Sequence, residues 1–441
     1  MPVLPAAPQA LAAPVANRSY VFIGAYSAAL YSVLLIAPIV GAKIAGQYGV
    51  DATRLGLLFS LELGAFSLAT IPAYLWLRRV NLRYATVLAT AIVVAGNIAS
   101  AFTSSFEMLM VLRVITALAA GSITVIILSL SARTSNPGRA FGLFVVAQLG
   151  MGALILALFP LIFADSGVGA IYLTLAVVTA LCLPSVGTLD ANFLRASQTS
   201  VTETTDILVE ATAGDAGSPT STTWSGRVAF SAGLIAVLLF YVALSGVWTF
   251  MSQISTDAGN SESSTSLSLA LATVAGIVSA LIATALGEHR GKWLILAGGY
   301  VAMALSIGLL LGGPALARFA IAAIIFKFAW TLILPYLLSA ISSLGAGGQV
   351  MNTVNLMIGA GFAVGPVLAG ALIGDSGFTA MLVFSLISVL ASLSCVGLMY
   401  RAYRSMVLAS TITEATGAGM EVPQVSPPSR SNSGLPETTP H

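Results

Sequence analysis

Charge is what this chain has least of: Asp, Glu, Lys and Arg make up 8% of its 441 residues, against roughly 25% in a soluble domain. That scarcity excludes a soluble fold of this length, which would need polar loops and faces throughout. Cysteine is nearly missing as well. Cys182 and Cys395 stand far apart, each inside an apolar segment, so neither a disulfide framework nor a thiolate metal site is expected, and no metal is assigned. Short alternating strands are also lacking, which argues against an outer-membrane barrel. No glycine-rich phosphate loop ending in lysine is found, which argues against direct coupling to ATP. The opening stretch, residues 1–17, has no cationic region ahead of a cleavable apolar core. It reads as a short tail before an uncleaved span, not as a signal peptide.

What the chain has is apolar length. Hydrophobic residues make up 57% and mean hydropathy is +0.97. Windows long enough to cross a bilayer lie at 20–46, 53–77, 82–103, 107–131, 138–163 and 168–189, and again at 227–252, 265–287, 292–312, 315–341, 350–374 and 378–400. Numbered in order, these are spans 1 to 12. The expected fold is an all-α polytopic membrane protein of twelve transmembrane helices in two six-helix halves, 20–189 and 227–400. A tail at 1–19 and a Ser/Thr-rich acidic linker at 190–226 flank the first half. A Ser/Pro/Gly/Thr-rich tail at 401–441 is expected to be disordered.

Basic residues set the orientation. Thirteen fall on one side, among them Arg78, Arg79, Arg83, Arg133, Arg139, Arg290 and Lys292, and three on the other: Lys43, Arg54 and Arg318. The positive-inside rule then places both termini and the linker in the cytoplasm of a cell whose inner membrane carries the protein. The halves also echo each other. Asp165-Ser166-Gly167 recurs as Asp375-Ser376-Gly377, 210 residues later, and this offset superimposes the hydropathy pattern.

On these residues the chain resembles the major facilitator superfamily over about 20–400. The family's loop pattern, Gly-x-x-x-Asp-Arg/Lys-x-Gly-Arg/Lys, is kept after span 8 as Glu288, Gly291 and Lys292. After span 2 it keeps Arg78 but has Leu77 at the acidic position. An arginine followed by small residues in span 4 is matched by Arg113, Ala117, Ala119 and Gly121. The span 5 antiporter signature is not matched, since no Gly-Pro closes the run from Gly150 to Pro160. The Gly361-x-x-x-Gly365-Pro366-x-x-x-Gly370 run in span 11 reads as close helix packing with a kink. The resemblance implies a secondary transporter and no enzyme, with spans 1, 4, 7 and 10 lining the path. It also implies gating roles for Arg78, Glu288 and Lys292.

Three ionisable residues lie inside spans: Glu62, Arg113 and Lys327. A charge at the bilayer centre costs about 2.5–3.5 kcal/mol on the insertion scale, so each needs a partner or a wet cavity. Arg113 starts about 9 Å into its span and Glu62 about 13 Å into its own, from the same side. They are expected either to form a fixed bridge, to form a pair that opens when substrate or a proton arrives, or to act apart. Lys327 maps by the repeat onto position 117, one turn from Arg113. Two cations against one acid imply an anionic substrate held by Arg113 and Lys327, with Glu62 as the proton-coupling residue. The alternative for Lys327 is to fix the bundle through a salt bridge or a carbonyl contact. Tyr31, Trp330 and Tyr241 are the aromatic candidates for the path, and packing is their alternative.

The function expected is proton-coupled transport of an organic anion, an amphipathic or aromatic monocarboxylate, with uptake favoured over export. The alternative is a proton-driven efflux antiporter for drugs or metabolites. No cofactor is expected beyond the proton gradient. The expected partners are the organic anion and the lipid bilayer; no nucleic-acid partner is expected, and the working unit is a monomer.

Overall fold

The computed structural model describes residues 18–77, 79–131, 134, 136–189, 224–287, 291–342 and 348–418. Spans 1 to 5 are Ser19–Tyr48, Ala52–Pro72, Leu82–Phe102, Phe106–Ser131 and Gly138–Ile162. Spans 6 to 10 are Val168–Thr188, Gly226–Asp257, Glu262–Leu286, Lys292–Leu310 and Leu316–Ile341. The last apolar helix, Thr353–Ser405, has 53 residues. At ~1.5 Å per residue it is far too long for one crossing of a hydrocarbon core about 30 Å thick. Gly377 interrupts it with φ 78 and ψ 179, a conformation that costs glycine little and other residues much. The chain turns back there, giving spans 11 and 12 and the twelve crossings expected from hydropathy.

Sequence chemistry starts the helices where the turns are short. Asp51 accepts from the Arg54 N–H, Asn81 from the Arg83 and Tyr84 N–H groups, Asn136 from Arg139 and Ser261 from Ser264. Helix bounds differ from the hydropathy windows mainly where polar residues remain helical, as at Gln253–Asp257 and Glu262–Ser264. One expectation is corrected. The final helix runs to Ala418, so 401–418 is helical instead of disordered. That stretch has no proline to end the helix that span 12 carries into it, and four of its residues are alanine.

The halves meet along spans 2 and 11 and along spans 5 and 8, and span 7 meets span 1 on its Ser32–Tyr48 segment. Glycine makes the closest approach possible. A Cβ on Gly370 would collide with the Ala52 carbonyl oxygen, and one on Gly365 with Ser245 and the Val242 carbonyl. The glycine run of span 11 is therefore a packing surface against spans 2 and 7.

Proline supplies three of the polar contacts across the same seam. A residue four positions before a helical proline has no N–H to receive, which leaves its carbonyl free in a place without water. Pro38 frees the Leu34 carbonyl, and the Trp248 indole N–H of span 7 donates to it at 3.1 Å. Pro160 frees the Leu156 carbonyl, and the Ser266 hydroxyl of span 8 donates to it at 2.6 Å. Beside Pro366 the Val367 N–H donates to the Ser60 hydroxyl of span 2 at 2.8 Å. Three prolines thus join three helix pairs across the halves.

The seam predicts how glycine substitutions behave. Gly370→Val should overpack spans 2 and 11 and cost about 1–3 kcal/mol, read as a lower unfolding temperature in detergent. Gly150→Ala, whose Cβ would meet nothing within 4 Å, should leave it unchanged.

Candidate functional site

Span 4 brings the site together. Its buried face runs Arg113, Ala117, Ala120, Gly121 and Thr124, a three-and-four spacing that puts all five on one side of the helix. Gly121 lets the helix approach span 2 so closely that a Cβ would strike the Phe66 carbonyl. Span 1 bends opposite, where its helix is interrupted at Tyr31. The Ser27 and Ser32 hydroxyls bond back to the Ile23 and Ala28 carbonyls, a habit that bends helices.

Between these elements lies a cavity of about 500 Å³. Its polar lining includes Glu62, Asn97, Arg113, Thr116 and Asn355, and most of the remaining wall is apolar. The cavity extends past Thr124 to Leu128 and Ser129 and to Leu77, the end of the bundle where Arg79 and Arg83 lie. The other end is shut. There Lys43 donates to the Ala164 carbonyl at 2.6 Å and pairs across the halves with Glu262 at 3.5 Å.

Arg113 is fully buried. One Nη donates to Asn97 Oδ1 at 2.9 Å, and the guanidinium lies 4.4 Å from the centre of the Tyr172 ring. The other Nη is 3.6 Å from Glu62 Oε1, close enough for charge pairing and too long for a hydrogen bond. Nη1 and Nε therefore have no hydrogen-bond partner among the described residues. The pair neutralises its own charge while two strong donors of this lining residue stay buried and unfilled. Such a group can take a carboxylate, and a solute of that kind would compete directly with Glu62.

The predicted residues separate into two groups. Tyr31, Glu62 and Arg113 line the cavity, with Tyr31 packed edge-on to Phe66 and Phe144. Lys327, Trp330 and Tyr241 do not line it. Lys327 is fully buried, its Nζ lying 3.9 Å from the Trp248 ring centre and 3.7 Å from that of Trp330. Tyr241 stands behind Phe362, a cavity residue, with ring centres 4.9 Å apart. Lys292 opens span 9, while Arg78 and Glu288 lie outside the described residues.

Two contributors escape a reading by charge. Tyr172 supplies the face under Arg113, and Asn97 supplies its hydrogen bond. Depth was the available signal. Counting from the Lys43 end, Tyr172 is four residues into span 6 and Asn97 five into span 3, roughly 6–8 Å at the helical rise, close to the level of Arg113.

The family model of the Major Facilitator Superfamily matches residues 22–347. The chain belongs to the major facilitator superfamily. It is accordingly a membrane transporter and not an enzyme. Solved structures with the same fold include the nucleoside transporter NupG, with a TM-score of 0.65 and 13% identity, covering 88% of this chain and 99% of that one. A D-xylose–proton symporter superposes with a TM-score of 0.67 at 13% identity, covering 86% and 96%. The peptide transporter POT, solved with sulfate, gives 0.66 at 15% identity, covering 90% and 98%. At these identities the superpositions establish the superfamily's fold. No curated protein sequence matches the chain.

Removing one partner of the buried pair should be worse than removing both. Arg113→Met leaves Glu62 without its cation and should cost about 3–5 kcal/mol, whereas Arg113→Met with Glu62→Leu should recover most of that loss. Thermal unfolding of the two variants checks it, and equal losses would show that the pair does not couple.

Proposed function

We propose that this major facilitator transporter moves an amphipathic organic anion with a single carboxylate, together with a proton. The observation that carries the reading is the Arg113 guanidinium at the cavity wall, with Nη1 and Nε unfilled and Glu62 held 3.6 Å away without a hydrogen bond. The ligand's carboxylate accepts from Nη1, the donor that faces Glu62, in a charge-assisted hydrogen bond. Its apolar body lies along Tyr31, Phe66 and the aliphatic wall. Glu62, displaced from the cation, takes a proton.

Charge balance supports coupling. The empty site holds Arg113 positive and Glu62 negative. The loaded site holds Arg113 positive, the ligand negative and Glu62 protonated. Both states sum to zero, so each can cross the bilayer interior without an unpaired charge. A proton gradient is the driving force, no bound cofactor enters the cycle, and one chain suffices for it. The membrane is the inner membrane, with both termini cytoplasmic. The largely apolar wall and the opening at the arginine-rich end suit a second reading, in which the same cavity collects amphipathic compounds for proton-driven efflux.

The test is binding followed by transport. Aromatic monocarboxylates should raise the unfolding temperature of the purified protein, and their uncharged amides should not. Arg113→Ala should weaken that binding about 10- to 100-fold, matching the 1.5–3 kcal/mol of a hydrogen bond to a charged group. In liposomes a proton gradient should drive saturable accumulation, with its direction separating uptake from efflux. Glu62→Gln should lose gradient-driven accumulation and keep exchange. Equal binding of acid and amide, or undiminished binding by Arg113→Ala, would reject the reading.

A further inference from the structure

The C-terminal half holds an ion that the cavity does not use. Lys327 is fully buried, and its Nζ has no hydrogen-bond partner among the described residues. The described acids of this half, Asp257, Glu262, Asp375 and Glu414, all lie at or beyond the ends of spans. What faces the ammonium is aromatic: Trp248 and Trp330, with their rings inclined by 70°. Ring faces attract a cation by about 2 kcal/mol when desolvated, yet they supply neither an acceptor nor a countercharge. One turn along span 7 from Trp248, on the same face, the Ser252 hydroxyl is also fully buried and unpartnered.

We propose that Lys327 and the Ser252 hydroxyl form a second anion site between spans 7 and 10, covered in this conformation by Trp248 and suited to a small carboxylate. Its use as a transport station rests on the carboxylate reading given above; its existence does not. The cover is tied to the seam between halves. The Trp248 indole is held by the Leu34 carbonyl of span 1, which is free because Pro38 has no N–H to give it. When spans 1 and 7 part, the indole loses its acceptor and span 1 withdraws. The ring is then free to change rotamer, exposing the ammonium to the newly opened cleft. Arg113 serves the cavity in the present conformation and Lys327 serves the opposite one.

The first arm of the test measures the cover without any ligand. In protein lacking Cys182 and Cys395, Lys327→Cys is exposed to a charged methanethiosulfonate reagent. Labelling should be slow with the indole bond intact. It should be at least about ten times faster with either Trp248→Phe, which removes the donor, or Pro38→Ala, which gives Leu34 a helical donor; the figure matches a bond worth about 1.4 kcal/mol. The second arm measures benzoate binding by calorimetry in Arg113→Ala/Trp248→Phe, where Lys327 is intact. Benzoate should bind, and adding Lys327→Met should abolish it. Labelling rates unmoved by both seam variants, or no Lys327-dependent benzoate binding, would overturn the proposal. Persistence of the cavity site in Arg113→Ala alone would instead count against the Arg113 reading.

Discussion

A membrane interior leaves no backbone donor or acceptor unmet without cost, and in this protein that constraint joins the two halves. Pro38 and Pro160 each deprive a carbonyl of its helical donor, and in both cases the replacement donor comes from the opposite half, Trp248 for Leu34 and Ser266 for Leu156. The third contact, Val367 to Ser60, uses an N–H beside Pro366. Each such bond contributes about 0.5–1.5 kcal/mol net, so the seam is specific without being strong. A machine that must open and reclose there requires that balance.

The same accounting governs the charges. Arg113 is held by Asn97, Tyr172 and Glu62, three groups from spans 3, 6 and 2, yet two of its donors have no hydrogen-bond partner among the described residues. Among the described residues the Lys327 ammonium meets aromatic faces and no hydrogen-bond acceptor. The two cations that the repeat sets on corresponding helix faces thus occupy different environments. The halves are alike in topology and unlike in conformation at their polar centres, as expected of a structure closed at the Lys43–Glu262 end and open at the other.

Much of this was legible in the sequence because membrane folds are set by length and polarity. Twelve windows gave twelve crossings, and Glu62 and Arg113, matched in depth, meet as one of the arrangements left open for them. The repeat set Lys327 opposite position 117, but a residue offset carries no information on whether its side chain reaches the cavity. Tyr172 carried no charge to mark it. The free carbonyls of Leu34 and Leu156 could be counted from their prolines, while their donors depended on three-dimensional packing that no spacing encodes. Residues 401–418 were read from the polar composition of the whole tail, although no proline ends the helix that span 12 carries into them.

The central claim is that an anion and Glu62 exchange places on Arg113. Proton uptake on ligand binding tests it most directly. When benzoate is added to unbuffered, purified protein carrying a pH indicator, the account predicts one proton taken up per anion bound, and none in Glu62→Gln. Binding without proton uptake, or the same uptake in Glu62→Gln, would contradict it.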